Sequence, residues 1–271
     1  MALNIARVVN EPVYPFEFSI CTLVTRHQEY QEMLASFLNK GFDETNCEYL
    51  YIDNTADCQY DAYKGLNQFL QQAKGKYIII CHQDIIVHDH DREHLVNKIN
   101  EIEALDKNWS ILANAGGVNF KWIATNLTQA SGNQIKEKRL PLLTKTIDEN
   151  FILVKSSANL ALSNNLSGFH MYGPDLCLVS DILGFNSYII DFNITHKSNG
   201  NADASFFISK KAFIKKYNHA LRGRFMATTI TRFYISGNWF TAWVYNFQPI
   251  KFLVRQYYKF FRHKKRYVPK K

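Results

Sequence analysis

At 271 residues the chain can form one large domain or one domain plus an appendage. It is 46% hydrophobic and 14% aromatic, enough for a sizeable core, which excludes wholesale disorder. The net charge of +8 is unevenly spread: Ala204 to Lys271 holds 16 Lys and Arg and no acid, while the first 203 residues hold the other 16 and all 24 acids. An acidic body thus carries a basic tail, whose partner should be anionic.

The start of the chain, MALNIARVVNEPVYPFEF, has no basic stretch followed by an apolar run, so it does not read as a secretory leader. No uninterrupted apolar stretch of about 18 residues supports a spanning helix. Five scattered cysteines, an odd number mostly inside apolar segments, read as reduced thiols of a cytosolic protein. Sequons such as Asn126-Leu127-Thr128 then carry little weight.

Strand and helix alternate along the body. Phe18–Thr25 reads as a buried strand, and Gln28–Lys40 as a helix with Met33, Leu34, Phe37 and Leu38 at helical spacing and Gly41 as its cap. Glu48–Asp53 is a second strand and Tyr60–Lys74 a second helix, stopped by Gly75. Lys76–Cys81 (KYIIIC) is the strongest strand, followed by a helix over Asp91–Leu105. Ser110–Ala115 and Phe151–Lys155 are weaker strands, and the polar stretch Phe120–Glu149 between them reads as a long functional loop. Asp175–Leu183 is a short helix closed by Gly184, and Ser187–Phe192 is the last strand. This alternation predicts an α/β fold with a mostly parallel sheet flanked by helices.

In such sheets ligands gather beyond the carboxyl ends of the strands. That rule selects Thr25-Arg26, Asp53-Asn54-Thr55 and His82-Gln83-Asp84. A carboxylate at a rigid strand end, as Asp84 is, suits a hard divalent cation that completes its shell with phosphate oxygens. Its plainer role is to cap a turn.

The order of these strands, with HQD followed roughly ninety residues later by FHMYGPDLCL, resembles the bacterial family-two-like glycosyltransferases of the GT-A fold over about Phe18 to Ser198. The resemblance implies a nucleotide-sugar pocket in which Asp53 contacts the base and Thr25 lines the same space, with Lys64 or Asn67 facing the donor. HQD, with His82 and Gln83, occupies the place of the family's metal motif. Asp84 matches its last acid and implies Mn²⁺ or Mg²⁺, with His196 in THKSNG as a further ligand. His82 stands where the first acid sits, and an imidazole does not accept from a ribose hydroxyl as a carboxylate does. Asp175 matches the general base that deprotonates the acceptor hydroxyl, which implies a single displacement with inversion. Its plainer role is a helix N-cap.

His90-Asp91-Arg92-Glu93-His94 also matches H-x-x-E-H, an inverted zinc-protease signature. With no downstream acidic ligand evident, surface histidines account for it better.

Lys251–Arg262 (KFLVRQYYKFFR) places Lys251, Arg255, Lys259 and Arg262 within about 80° on a helix, opposite Leu253, Val254, Tyr257, Phe260 and Phe261. This is the pattern of a helix lying in a membrane interface, extended by the charged HKKRYVPKK and preceded by Trp239, Trp243 and Tyr245 at headgroup level. The expectation is a GT-A-like catalytic domain over 1–203 and a basic, aromatic, helical membrane-associating region over 204–271. It would move sugar from a nucleotide donor to a lipid-linked or surface-polysaccharide acceptor at the inner face of the cell membrane, with no nucleic-acid partner. A non-catalytic membrane-binding protein that keeps the fold is the alternative.

Overall fold

The computed structural model describes residues 6–198 and 203–261. Arg262 and the charged run after it, part of the expected membrane region, lie outside the described residues. The chain divides into two compact units, Met1–Lys210 and Lys211–Lys271.

The first unit begins with two β-α-β crossovers: β1 (Phe16–Val24), α1 (His27–Leu38), β2 (Cys47–Asp53), α2 (Ala62–Gln72) and β3 (Gly75–Cys81). β1 lies between β2 and β3 and pairs in parallel with both, Ile20 facing Tyr49 on one side and Ile79 on the other. Asp61 caps α2 by accepting from the Lys64 N–H at 2.9 Å. Gly75 is not the stop of α2 but the first residue of β3. A Cβ there would lie 2.4 Å from the Ser19 nitrogen, so the close approach of β3 to β1 requires glycine.

Next come β4 (Ile85–Ile86), α3 (Arg92–Leu105), β5 (Trp109–Ala113), β6 (Ala115–Gly117), β7 (Ile123–Gln129), β8 (Gln134–Lys136), β9 (Leu142–Thr144), β10 (Thr146–Ile147) and β11 (Phe151–Lys155). After them stand α4 (Tyr172–Ile182), β12 (Asn186–Ile189) and β13 (Ile194–His196). The main sheet has the order β2-β1-β3-β11-β5-β12-β9. Only β11 and β9 run against the other five strands, so the sheet is mostly parallel, as the alternation predicts. Its core is built on Phe18, Phe37, Phe42, Tyr77, Trp109 and Phe151 with the aliphatic side chains around them. Each such side chain contributes about 1.5–3 kcal/mol on burial. The cysteines of this core are free thiols, and burial pushes Cys81 up to about 12.

The stretch read as a loop, Phe120–Glu149, instead supplies β7 to β10: β9 is the edge strand of the main sheet, while β7, β8 and β10 are half of a second sheet of order β10-β6-β7-β13-β4 with β8 beside β7. Its inward face is polar, which hides it from a search for apolar periodicity. Buried Asn126 donates to Asp191 at 2.6 Å and accepts from Asn193 at 3.1 Å. These bonds offset the cost of burying an amide. His196 likewise ends a strand rather than lying in a loop.

α5 (Ala204–Ala220) leads into the second unit, which contains β14 (Arg224–Ala227), β15 (Arg232–Ile235), α6 (Trp239–Asn246) and α7 (Gln248–Phe261). The expected helices are present, together with an antiparallel hairpin in which Ala227 faces Arg232. The Asn246 amide bonds both the N–H and the C=O of Tyr234, at 2.9 and 2.8 Å, and so ties α6 to the hairpin. Among the described residues no helix is long and apolar enough to cross a membrane.

Candidate metal and proton-transfer site

β3 ends at Cys81 and the chain passes through His82 and Asp84 into β4. β4 pairs antiparallel with β13 so that His196 faces Ile85, and the Lys197 N–H donates to the Asp84 carbonyl at 3.0 Å. This pairing sets the His196 Nε2 3.3 Å from the Asp84 carboxylate, while the His82 Nδ1 lies 4.0 Å from the same oxygen. His82, Asp84 and His196 thus form a group whose ligand atoms lie within 4.8 Å of one another, able to hold a metal ion. The imidazole rings are 5.5 Å apart and inclined at 53°, so their in-plane lone pairs can converge.

The tautomer of His82 follows from its neighbours. Tyr172 donates its one hydroxyl proton to the Glu149 carbonyl at 3.1 Å. The contact of 2.9 Å between Tyr172 and the His82 Nε2 must therefore have the imidazole as donor, leaving Nδ1 with a lone pair toward Asp84. A hydrogen bond on the far nitrogen is what fixes a histidine ligand. Burial, with help from His196, lowers the His82 pKa and favours this neutral form. Burial works against the Asp84 carboxylate, but bonds from His196 and Ser198 and the nearby imidazoles hold it well below the usual range.

His82 and His196 border a cleft of about 910 Å³ with Asp148, Glu149, Asn150, His170 and Ser198. Asp148 to Asn150 were not selected from the sequence. They precede β11, which runs antiparallel to β3 with Phe151 facing Cys81, and the His82 N–H donates to the Asn150 carbonyl at 3.1 Å. The rule that sites collect at the carboxyl ends of parallel strands overlooks the amino end of an antiparallel neighbour. The available signal was the polar run Asp148-Glu149-Asn150 directly before an apolar strand.

Glu149 accepts from the Gly173 N–H at 3.0 Å, and the amides of Tyr172 and Met171 also point at it. Met171 has φ of 69° at the N-cap of α4, a left-handed conformation that few non-glycine residues adopt and that clusters at functional sites. Gly173 is required, since a Cβ there would lie 2.7 Å from the Ile147 carbonyl and 3.1 Å from the Glu149 side chain. Burial pushes Glu149 up to about 8, against the pull of these N–H groups, and the charge of Asp148 adds to the rise.

Asp175 does not reach the cleft. It has no solvent exposure, and its two oxygens accept from the Ser163 N–H and hydroxyl, each at 2.7 Å. A carboxylate so enclosed anchors the 160s segment to α4 and cannot meet an acceptor hydroxyl in this conformation. Nor is it the N-cap, which is Met171.

Gln83 points away from the metal group. Its carbonyl accepts from the N–H of Thr25 and Arg26, at 2.8 and 2.9 Å, and its amide donates to the Thr25 hydroxyl. It clamps the end of β1 to that of β3. Thr25 and Asp53 follow and end adjacent parallel strands, both exposed. Asp53 accepts from the Thr55 hydroxyl and N–H, which hold it below the usual range. Asn67 spends its side chain on the backbone of Leu162, through bonds of 3.1 and 2.8 Å. Lys64 is exposed on α2 and borders a separate cavity of about 260 Å³ with Asn67.

The His90–His94 pair acquires a third neighbour in Asp191. The two rings, however, stack 3.9 Å apart at 13°, and the His90 Nδ1 accepts from the Asn193 N–H. Parallel in-plane lone pairs at that separation cannot both meet an ion about 2.0–2.1 Å away. Glu93 is exposed on the first turn of α3. This geometry does not build a zinc-protease centre.

No protein-family model matches the sequence. Among solved structures, S. aureus TarS 1-349 aligns with 67% of this chain and 60% of its own at 10% identity and a TM-score of 0.46. A longer S. aureus TarS chain gives 68%, 37%, 12% and 0.49 in the same order. A197 from STIV aligns with 69% of this chain and 97% of its own at 10% identity and a TM-score of 0.40. This chain spans 60% of one TarS chain and 37% of the other, less than two thirds of each, and likenesses this distant assign no activity. The sequence is 31% identical over 231 residues to the Fuscovulum blasticum protein "ATP synthase subunits region ORF 6", across 83% of this chain and 93% of that one, and the chain belongs to the family of that protein.

Proposed function

We propose that the chain is a metal-assisted glycosyltransferase acting on a nucleotide-sugar donor. The observation that carries this reading is the convergence of His82, Asp84 and His196 at the end of the third parallel strand, in the same cleft as Glu149. Two imidazoles and one carboxylate suit Mn²⁺ better than Mg²⁺, which prefers an all-oxygen shell. When bound, such a cation neutralises charge on a departing diphosphate.

The general base is assigned to Glu149 in place of Asp175. In its ionised form Glu149 takes the proton of the acceptor hydroxyl as that oxygen attacks the anomeric carbon. The bond to the phosphate oxygen breaks and its electron pair leaves with the nucleoside diphosphate, inverting the sugar carbon. A pKa of about 8 gives a base strong enough for a hydroxyl and partly ionised near neutral pH. Thr25 and Asp53, at the open ends of β1 and β2, are assigned to the nucleoside.

The chemistry is placed in 1–203 and membrane contact in 204–271, with a lipid-linked or surface-polysaccharide acceptor at the inner face of the cell membrane. Support for contact comes from α7, whose Phe252, Leu253, Tyr257, Phe260 and Phe261 are all exposed, and from exposed Trp239 and Trp243 on α6. An aromatic face left open beside a cationic one is what an interfacial helix presents.

The test is a thermal-shift panel of UDP-, GDP- and dTDP-sugars with and without Mn²⁺, on wild type and Asp84→Asn. Stabilisation by one nucleotide class, dependent on metal and lost in the variant, is expected. A folded protein that no donor stabilises overturns the transferase reading and favours a non-catalytic membrane-binding protein.

A further inference from the structure

The second unit contains a groove of about 520 Å³, a volume ordinary for a small-ligand site. One wall is the hairpin of β14 and β15, the other a single face of α7, residues 251, 254, 255, 258 and 259, at helical spacing. The lining is apolar at Phe225, Met226, Ala227, Phe233 and Val254, aromatic at Tyr258 and cationic at Arg232, Lys251, Arg255 and Lys259. No Asp or Glu occurs anywhere from Ala204 to Lys271. Four cations lining one partly apolar cavity, with no acidic side chain in the unit to offset them, repel one another until an anion enters. The complement of this groove is a molecule with a phosphate at one end and hydrocarbon at the other.

We propose that this groove binds one anionic membrane phospholipid, its phosphate held by Arg232, Arg255 and the two lysines and the start of its acyl chain lying against the apolar part of the lining. The inference rests on the reading of the second unit as the membrane-facing part and deepens it, since a saturable site for a single lipid differs from diffuse adsorption of a basic helix. Arg232 distinguishes the two, because it lies on the hairpin and not on α7. Across the pair from it stands Ala227, whose small side chain shares the same face of the hairpin and also lines the groove.

The experiment titrates the full-length protein with dioctanoyl phosphatidylglycerol below its micelle concentration, by calorimetry, against glycerol phosphate and dioctanoyl phosphatidylcholine. One lipid per chain is expected, with about ten-fold or weaker binding for glycerol phosphate, for the neutral lipid and for Arg232→Gln. Ala227→Phe adds bulk to the groove's lining without removing charge and should weaken the lipid by a similar factor. It decides the matter if Arg232→Gln does not fold. Absence of binding, several lipids per chain, wild-type affinity in the folded variants, or glycerol phosphate binding as tightly as the lipid would each overturn the proposal. Partition of the same variants onto neutral phosphatidylcholine vesicles should be unchanged, because the exposed aromatic face of α7 is intact. Metal-dependent stabilisation by a nucleotide-sugar, read on the same samples, reports on the transferase separately.

Discussion

His82 donates to the hydroxyl of Tyr172 across 2.9 Å, and Tyr172 in turn donates to the main chain of Glu149. One tyrosine therefore orients a metal-facing imidazole and the segment that carries the cleft's acid. Tyr172→Phe removes both bonds while keeping the ring. Mn²⁺ affinity should fall about 10–100-fold, the usual cost of losing such a partner, with the fold retained. Equilibrium dialysis or paramagnetic resonance measures it, and unchanged affinity would show that His82 is not oriented in this way.

Glu149 makes stability depend on pH. Its folded pKa of about 8 lies above the ordinary value of 4.5, so the folded state holds this proton more tightly than the unfolded chain. The resulting stabilisation is complete below pH 4.5 and is lost as pH rises through about 8. The slope is at most about 1.4 kcal/mol per pH unit, less any solvent screening. Glu149→Gln should flatten urea-unfolding free energies between pH 5.5 and 8.5 relative to wild type. Parallel curves for the two proteins would refute the raised pKa.

Asp175→Asn tests the division between structural and reacting carboxylates. The change weakens two short bonds to Ser163 in a fully buried place. A loss of about 2–4 kcal/mol in stability is expected. Donor binding by the folded fraction should survive. Full stability combined with abolished transfer would restore Asp175 as the base.

Gly75→Ala should be more damaging than its size suggests. The added carbon meets Ser19 backbone at 2.4 Å at the first position of the β1–β3 pair, where Gly75 faces Phe16 and the start of β3 must move away from β1 to admit it. A loss of about 3 kcal/mol or more, read by chemical denaturation, is expected. A variant as stable as wild type would mean that the strands are less closely fitted.

The β-α-β half was legible because β1 and β3 are short, almost continuously buried runs and α1 and α3 bury apolar residues at helical spacing. The second sheet was not, because β7 buries asparagine as well as alanine and β10 is two residues long. At the site, Asp84 and His196 were named from motifs, and the structure brings them together. Asp175, Gln83 and Asn67 carry the residue types of a site, yet each spends its polar atoms on backbone that sequence spacing cannot place. Glu149 was missed because only the antiparallel run of β11 carries it to the end of β3.

The two strands that deliver Asp84 and His196 to each other pair through only two register positions, Thr195 with Ile86 and His196 with Ile85. A cation shared by these residues would act as a cross-link closing a loop of roughly 110 residues. In chain-entropy terms that is close to the largest class of loop for which a single staple restrains the unfolded chain. Metal occupancy would thereby be coupled to the folding of the second sheet, and chelation should loosen that sheet before it loosens the parallel core.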